Sequence, residues 1–319
     1  MNTSTAPIIS IVIPCYNEEL ALPTTAKVLL ELLDKMSKDG LISPLSYVLC
    51  CNDGSKDNTW GIIETLHNKD NRIKGISLAN NRGHQYVLLA GLMTAMDKCD
   101  AAISIDADLQ DDPNAIVKMV EEFLNGAEIV YGVRSSRASD TWFKRTSAHA
   151  FYSFQKSMGL ETVYDHADYR LMSNRALHLL SRYGESNLFL RGIIPQIGLN
   201  TAVVEYERKE RIAGESKYPL SKMLSFSIDG ITSFSAKPIR MIFIVGLILL
   251  FLDIIIGIYV MTSYFSGNII SGWTSLILSV WFIGSLILMS IGVIGEYIGK
   301  IFIEVKQRPR YEIKETIFD

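Results

Sequence analysis

Asp106-Ala107-Asp108-Leu109-Gln110 comes directly after an apolar run, Ala101–Ile105, that has the length and composition of a strand. Two carboxylates at i and i+2 beyond a strand end can share one hard cation. Mg2+ and Mn2+ favour carboxylate oxygens together with phosphate oxygens and water. A cation so placed would offset the charge on a diphosphate leaving group, the main electrostatic task when a sugar–phosphate bond breaks. The same residues also suit an acidic turn that starts a helix, since Asp111, Asp112 and Pro113 follow. Taken alone, Asp-x-Asp leaves both readings open.

Two further polar segments follow apolar runs. Ile11-Val12-Ile13-Pro14-Cys15-Tyr16-Asn17-Glu18 ends a strand in a polar loop, and Asn52-Asp53-Gly54-Ser55-Lys56-Asp57-Asn58-Thr59 ends another. In the second, Asp-Gly makes a tight turn and Asp57 or Asn58 caps the next helix. Asp53 could accept a hydrogen bond from the N–H of a nucleobase. Each segment by itself would also serve as an ordinary turn.

The elements that position these groups are legible to about Val133. Ile8–Pro14, Tyr47–Cys51, Ile73–Leu78, Ala101–Ile105 and Glu128–Val133 read as strands. Ala21–Met36, Thr59–Asn68, Gln85–Lys98 and Asn114–Leu124 read as helices. The alternation predicts an α/β domain, a mostly parallel sheet with helices on both faces. Such sheets bind ligands beyond the carboxyl ends of their strands, where the polar segments fall. From Ser135 to Glu210 the periodicity loosens, and this stretch is expected to form the acceptor half of the same domain.

Toward the C-terminus the pattern changes. Leu220, Met223, Leu224, Ile228 and Ile231 recur at roughly helical spacing, which predicts an interfacial or connecting helix. Met241–Met261, with Asp253 as its one charge, and Trp273–Ile294, with none, each approach the roughly 20 residues that cross a hydrocarbon core. Lys237 and Arg240 precede the first run, and Lys300, Lys306, Arg308 and Arg310 follow the second. The loop between them is uncharged, so the positive-inside rule predicts a hairpin with both flanks in the cytoplasm. Tyr264 and Trp273 fall where interfacial aromatics would sit. Asp253 is expected either to make a polar contact between helices or subunits or to serve a lipid head group.

Bulk properties agree with an anchored enzyme. The chain has 319 residues, 48% of them hydrophobic, and a net charge of −3 that gives no argument for nucleic acid binding, and no nucleic acid partner is expected. Mean hydropathy is +0.20. Cys15, Cys50, Cys51 and Cys99 lie in or beside apolar runs without metal-ligand spacing, as buried reduced thiols would. No signal peptide is expected from the short first apolar run, and Asn2-Thr3-Ser4 is no glycosylation site in a cytoplasmic terminus. The phosphate loop of nucleotide-driven transporters is missing, and so is the Arg-Trp pair usual in processive polysaccharide synthases.

In this order and spacing the segments resemble family 2 glycosyltransferases of the GT-A fold, over Ile8 to about Lys217. The resemblance sharpens to the polyprenyl-phosphate branch, which includes dolichyl-phosphate mannose synthases and bactoprenol glucosyltransferases. Asp168-Tyr169-Arg170-Leu171-Met172, Arg208 through Tyr218, Gly295 through Lys300 and Arg308-Pro309-Arg310-Tyr311 carry it.

The resemblance implies a GT-A (Rossmann-like, mostly parallel sheet) catalytic domain over 1–218 and an amphipathic helix or linker over 219–238. Two transmembrane helices would follow within 239–299 (about 241–262 and 273–295), then a cytoplasmic tail over 300–319. It implies that Pro14, Tyr16, Glu18 and Asp53 hold the base and ribose of a UDP-sugar. Asp106, Asp108 and Gln110 would hold Mg2+ or Mn2+ and the diphosphate. Arg134 and Arg145 would receive the acceptor phosphate. Arg211, Ser216 and Lys217 would lie in a loop that closes over the diphosphate.

Asp168 matches the carboxylate usually taken as the base. A phosphomonoester, however, has its second pKa near about 6 and needs little deprotonation. Asp168 is therefore expected to position Arg170, the sugar or the metal shell as much as to act as a base.

The expected reaction is inverting transfer of a hexose, first of all glucose, to a polyprenyl phosphate at the cytoplasmic membrane. N-acetylglucosamine or mannose are the alternatives, and a non-catalytic nucleotide-sugar-binding scaffold is the alternative of another class. The charge-alternating segment after Lys300 is expected to pair with a neighbouring subunit of a homo-oligomer.

Overall fold

The structure, a computed structural model, describes residues 6–134, 166–186, 188–207, 237–266 and 272–318. Strand β1 (Ile9–Cys15) is buried along its whole length. Its alternate residues Ile9, Ile11, Ile13 and Cys15 pack in one cluster with Leu22, Leu29 and Leu33 of helix α1 (Leu22–Lys38) and Ile116 and Met119 of α4 (Ala115–Leu124). On the opposite face lies α3 (His84–Ala95). A Cβ on its Gly91 would stand 2.5 Å from Val12 Cγ1 and 2.5 Å from Cys51 Sγ. Only glycine lets that helix lie so close to the sheet.

The other strands are β2 (Tyr47–Asn52), β3 (Ile73–Leu78), β4 (Ala101–Ser104), β5 (Ile129–Arg134), β6 (His166–Ser173), β7 (Thr201–Tyr206) and β8 (Ile313–Ile317). Helix α2 (Thr59–Lys69) follows β2, α5 (Asn174–Ser181) follows β6, and α6 (Leu190–Gln196) precedes β7. All eight strands form one sheet in the order β7-β5-β6-β4-β1-β2-β3-β8. The central run β4-β1-β2-β3 is parallel. A mostly parallel sheet with helices on both faces is thus present. β6 enters antiparallel between β4 and β5, so the end at which β6 begins lies beside the end at which β4 stops.

The last strand was not expected in this sheet. Ile313–Ile317 pairs antiparallel with β3 of its own chain, Ile76 facing Thr316. The charge-alternating segment taken above for an intersubunit contact covers an intramolecular edge instead, because its alternation is that of an edge strand with one face inward. Phe318, just beyond, meets the Tyr47 ring edge-on at 6.0 Å and lies under Lys98 Nζ at 3.6 Å from its centroid. Residues 308–319 accordingly belong to the same compact unit as the sheet.

The second unit holds two long helices, α7 (Lys237–Phe265) and α8 (Trp273–Val305). Among the described residues one helical stretch, Phe282–Val305, is long and apolar enough to cross a membrane, with mean hydropathy 1.8 over its best window. α7 contributes the shorter apolar stretch Met241–Ile256. α8 runs ten residues past the end expected for it at 295, to Val305. Phe243, Phe251, Tyr259, Phe282, Leu288 and Phe302 are all exposed, a surface unsuited to water. The expected amphipathic helix lies almost wholly outside the described residues, and so does the Asp253 side chain.

Candidate active site

β1 and β2 end side by side, with Cys15 opposite Asn52, and the loops that follow are laced together. Asn17 N–H donates to Ser55 Oγ at 3.0 Å and Lys56 N–H to Asn17 Oδ1 at 2.9 Å. Glu18 N–H donates to Thr59 Oγ1 at 2.9 Å and Asn58 N–H to Glu19 Oε2 at 3.0 Å. Asn17 adopts a left-handed φ of 56°, which asparagine tolerates better than most residues. Pro14 is buried within β1, Glu18 is half-buried, and the Tyr16 ring is 42% exposed at the strand end. Of the two expected caps of α2 it is Asp57 that bonds, its Oδ1 accepting from Thr59 N–H at 3.1 Å, while Asn58 makes no side-chain cap.

Asp53 is buried, and its two oxygens accept the backbone N–H groups of Arg82 at 2.7 Å and Gly83 at 2.8 Å. Burial raises its pKa against the opposing pull of those two bonds. Beside it, Gly54 has φ +61°, and a Cβ there would lie 2.8 Å from the Asn81 backbone nitrogen. The turn after β2 and the loop after β3 therefore touch backbone to backbone, and that loop leads into His84 at the start of α3.

The Asp-x-Asp turn has its own supports. Thr25 Oγ1 of α1 donates to the Ala107 carbonyl at 2.6 Å, and Gln110 N–H donates to Asp108 Oδ1 at 3.1 Å. Leu109 is buried with a left-handed φ of 52°, an unfavourable conformation for leucine that marks a turn fixed by its surroundings. Gln110 is buried, and the Asp106 side chain is 43% exposed at the mouth of the turn. Protein closes around the rest of Asp106. Desolvation, with the charges of Asp168, Asp111 and Asp108, pushes its pKa up to about 6, although His84 pulls the other way.

The register Ser104–Arg170 sets Asp168 near Asp106 across the β4–β6 boundary. Asp168 is 8% exposed and crowded with cationic partners. Arg170 Nη2 donates to its Oδ1. Arg191, from the first turn of α6, donates through Nε to Oδ1 at 3.2 Å and through Nη2 to Oδ2 at 3.1 Å. His84 Nε2 stands 3.4 Å from Asp168 Oδ2 and 3.9 Å from Asp106 Oδ1. Burial alone would raise the Asp168 pKa. His84, Arg170 and Arg191 outweigh it and hold the carboxyl well below the usual range. Burial likewise works against protonated His84, but Asp168 and Asp106 prevail and its pKa is raised.

Arg134 ends β5. Its Nη2 and Nε donate to Asp111 Oδ1 at 3.0 Å and 3.2 Å, and Tyr206 O–H donates to the same oxygen at 2.7 Å. Arg145, Arg211, Ser216 and Lys217 lie outside the described residues.

Sequence reasoning missed His84, Asp111, Arg191 and Gln85, whose Nε2 donates to Asp168 Oδ2 at 3.4 Å. His84 and Gln85 carried the signal already used for the other segments, since they follow the apolar run Ile73–Leu78. Arg191 carried none, because only the tertiary fold brings the start of α6 to β6.

Asp106 and Asp108 fit a divalent cation as a partial ligand set. Burial is the main cause of the raised Asp106 pKa, and the charges of Asp168, Asp111 and Asp108 that add to it are what a cation would relieve. No group of three or more His, Cys, Asp or Glu side chains able to hold a metal ion occurs among the described residues. A cation of this kind takes phosphate oxygens and waters for the remainder.

A sheet with these strand ends, an Asp-x-Asp turn and a facing aspartate defines a GT-A-type sugar-transferring enzyme. More particularly, the chain belongs to glycosyl transferase family 2, whose family model matches residues 10–197. It is 50% identical to the uncharacterized glycosyltransferase YkoT of Bacillus subtilis, covering 98% of this chain and 93% of the other. It is 38% identical to the SfII prophage-derived bactoprenol glucosyl transferase of Shigella flexneri, covering 97% and 98%. Mannosyl-3-phosphoglycerate synthase from Rubrobacter xylanophilus has the same fold, with a TM-score of 0.50, 16% identity and 74% of each chain covered.

Proposed function

We propose that the protein transfers a hexose, glucose before N-acetylglucosamine or mannose, from a UDP-sugar to a polyprenyl phosphate, with inversion. The observation that carries this reading is the full-length similarity to a bactoprenol glucosyl transferase, which includes the apolar C-terminal helices. The site supplies the chemistry. In the step, a phosphate oxygen of the acceptor forms a bond to the anomeric carbon as the bond to the diphosphate breaks and UDP departs.

Tyr16 and the laced loops after β1 and β2 form the floor for the nucleoside, and Asp53 sets the loop that covers it. Asp106 and Asp108 would hold Mg2+ or Mn2+ against the diphosphate, where the cation offsets the charge that develops on UDP. Asp168, ionised and engaged by two arginines and a histidine, is a weak base; its task is to hold Arg170 and Arg191 in place.

Connectivity supports an anchored topology. The chain leaves the sheet after β7, passes through α7 and α8, and returns to it as β8. If the apolar segment enters a bilayer, it must return to the side it came from. An even number of crossings follows, and a two-helix hairpin is the simplest case.

The test is transfer by the detergent-solubilised full chain with Mg2+ or Mn2+, using radiolabelled UDP-glucose and UDP-N-acetylglucosamine separately and undecaprenyl phosphate as acceptor. Label from one donor is expected in the organic phase. Binding of UDP without labelling of lipid by any donor would overturn the acceptor assignment.

A further inference from the structure

Helix α6 begins without a cap of its own. Phe189 stands before it and makes no side-chain hydrogen bond to its first turn. The leading N–H groups of a helix have no carbonyl partners within it and must find them elsewhere. For buried Leu190 the partner comes from another helix. Its N–H donates to Gln85 Oε1, in the first turn of α3, at 3.1 Å.

The other end of the same amide turns to Asp168, where Gln85 Nε2 donates to Oδ2 at 3.4 Å. These two partners suit an amide. A backbone N–H only donates and an ionised carboxylate only accepts, so the bridging group must accept at one atom and donate at the next. The cationic neighbours of Asp168 hold it in that ionised form. Glutamate would meet Leu190 but repel Asp168. Lysine would meet Asp168 but leave Leu190 without an acceptor.

The neighbouring contacts close a circuit. Tyr86 O–H donates to the Ser186 carbonyl, so the first turn of α3 grips the approach to α6 at a second point. Arg191, next to Leu190, sets its Nε on Asp168 Oδ1 at 3.2 Å and its Nη2 on Oδ2 at 3.1 Å. Gln85, Leu190, Arg191 and Asp168 are thus joined in a ring whose every link is a hydrogen bond or the chain itself.

We infer that Gln85 is a positioning residue for the transfer: with one amide it caps α6 and bridges to Asp168, and so fixes the geometry of the Asp168–Arg191 pair. The inference rests on the proposed reaction for the step that the pair serves. A pair joined only to each other can turn together, whereas the ring holds both members against the sheet. Small misplacements of such groups cost rate more than binding.

The test uses the full chain in detergent. Wild type, Gln85→Met, Arg191→Gln and the double variant are compared, with Gln85→Glu alongside. Gln85→Met keeps the length of the side chain and loses both bonds. At saturating UDP-sugar and undecaprenyl phosphate with Mn2+, it is expected to lower kcat by roughly tenfold or more while UDP affinity stays within about twofold. Made in Arg191→Gln, the same change should lower kcat by less than about threefold, because the pair it positions is already broken. Gln85→Glu keeps the acceptor for Leu190. Hydrogen exchange should therefore find the Leu190 amide protected in Gln85→Glu and deprotected in Gln85→Met. The kcat of Gln85→Glu should nonetheless fall at least as far, because a second carboxylate then faces Asp168.

A kcat in Gln85→Met within about twofold of wild type overturns the inference. So does an equal fold loss in both backgrounds, the mark of a general structural role. A parallel loss of UDP affinity overturns it too, and would assign the turn to the donor. Failure of the wild type to label lipid counts instead against the proposed reaction. The ring is then judged by the denaturation midpoint. A smaller lowering by Gln85→Met in Arg191→Gln than in wild type supports it, and an equal lowering overturns it.

Discussion

Asp168 and Arg170 lie two residues apart on one strand, their side chains on the same face of the sheet, and form an ion pair almost wholly removed from water. Arg170 is 1% exposed, and its Nε and Nη1 find no protein partner among the described residues. Burial lowers its pKa, and the Asp168 charge is the main force opposing that. Removing one member of such a pair strands the other charge.

Asp168→Ala should therefore lose stability as well as transfer, by about 3–5 kcal/mol as buried pairs broken on one side do. Chemical denaturation of the detergent-solubilised protein would read the first loss and the labelling assay the second. Asp168→Asn keeps the volume and separates the two roles. If Asp168 were chiefly a base, transfer by this variant should recover between about pH 6 and about pH 8.5, as the acceptor phosphate ionises without help. No recovery is expected, because the arginines remain misplaced at every pH.

The divalent cation gives a second prediction. Chelation should abolish transfer, and Mn2+ or Mg2+ should restore it. Asp108→Ala should weaken UDP binding in the presence of Mn2+ and leave the residual, metal-free binding nearly unchanged. Calorimetric titrations with and without Mn2+ distinguish these outcomes. An equal loss in both would mean that Asp108 supports the turn and not the cation.

Gly54 tests the contact between the loops after β2 and β3. Its φ of +61° and the 2.8 Å approach to the Asn81 backbone nitrogen leave no room for a Cβ. Gly54→Ala is expected to cost about 1–3 kcal/mol through strain and displacement of that loop. The loop carries the N–H groups that Asp53 binds, so UDP affinity should fall with stability. Asp53→Ala leaves two backbone donors without their acceptor, and it should lower stability by an amount of the same order, about 1–3 kcal/mol. A thermal melt followed by a UDP titration at a temperature where both variants are folded would check both effects.

The parts of the fold that were legible are those governed by local pattern. Ile73–Leu78 was read with its observed bounds, its apolar residues recurring across Lys74 and Ser77, and β1 with its bounds shifted by one residue, because a strand buried on both faces is a mostly apolar run between polar segments. Asp53, Asp106 and Asp108 were legible for the related reason that each follows such a run. The placement of β6 was not legible. Its antiparallel entry between β4 and β5 is a matter of long-range pairing, and nothing in His166–Ser173 states a partner. Arg191 was hidden for the same cause. β8 escaped because Ile-Lys-Glu-Thr-Ile, half polar and short, reads equally well as an exposed tail until the uncovered edge of β3 is known.

That last strand supplies the final prediction. β3 would be an open sheet edge without β8, and open edges pair with whatever strand is available. Phe318 secures the cover through its edge-on contact with Tyr47 and the Lys98 ammonium above its ring. The Lys74 side chain also donates through Nζ to the Phe318 backbone carbonyl at 2.5 Å, a bond that substitution of the ring leaves in place. Phe318→Ala should therefore loosen β8 without unfolding the sheet, at a cost of about 1–3 kcal/mol, aromatic contacts beyond area burial contributing about 0.5–1.5 kcal/mol of it. Hydrogen exchange should show the Ile76–Leu78 amides losing protection while those of β1 and β2 keep theirs. Deletion of residues 308–319 should go further and make the solubilised protein associate through the exposed edge, which light scattering would detect. Unchanged protection at Ile76–Leu78 in Phe318→Ala would show that backbone pairing alone holds β8 and that the ring contact adds nothing to it.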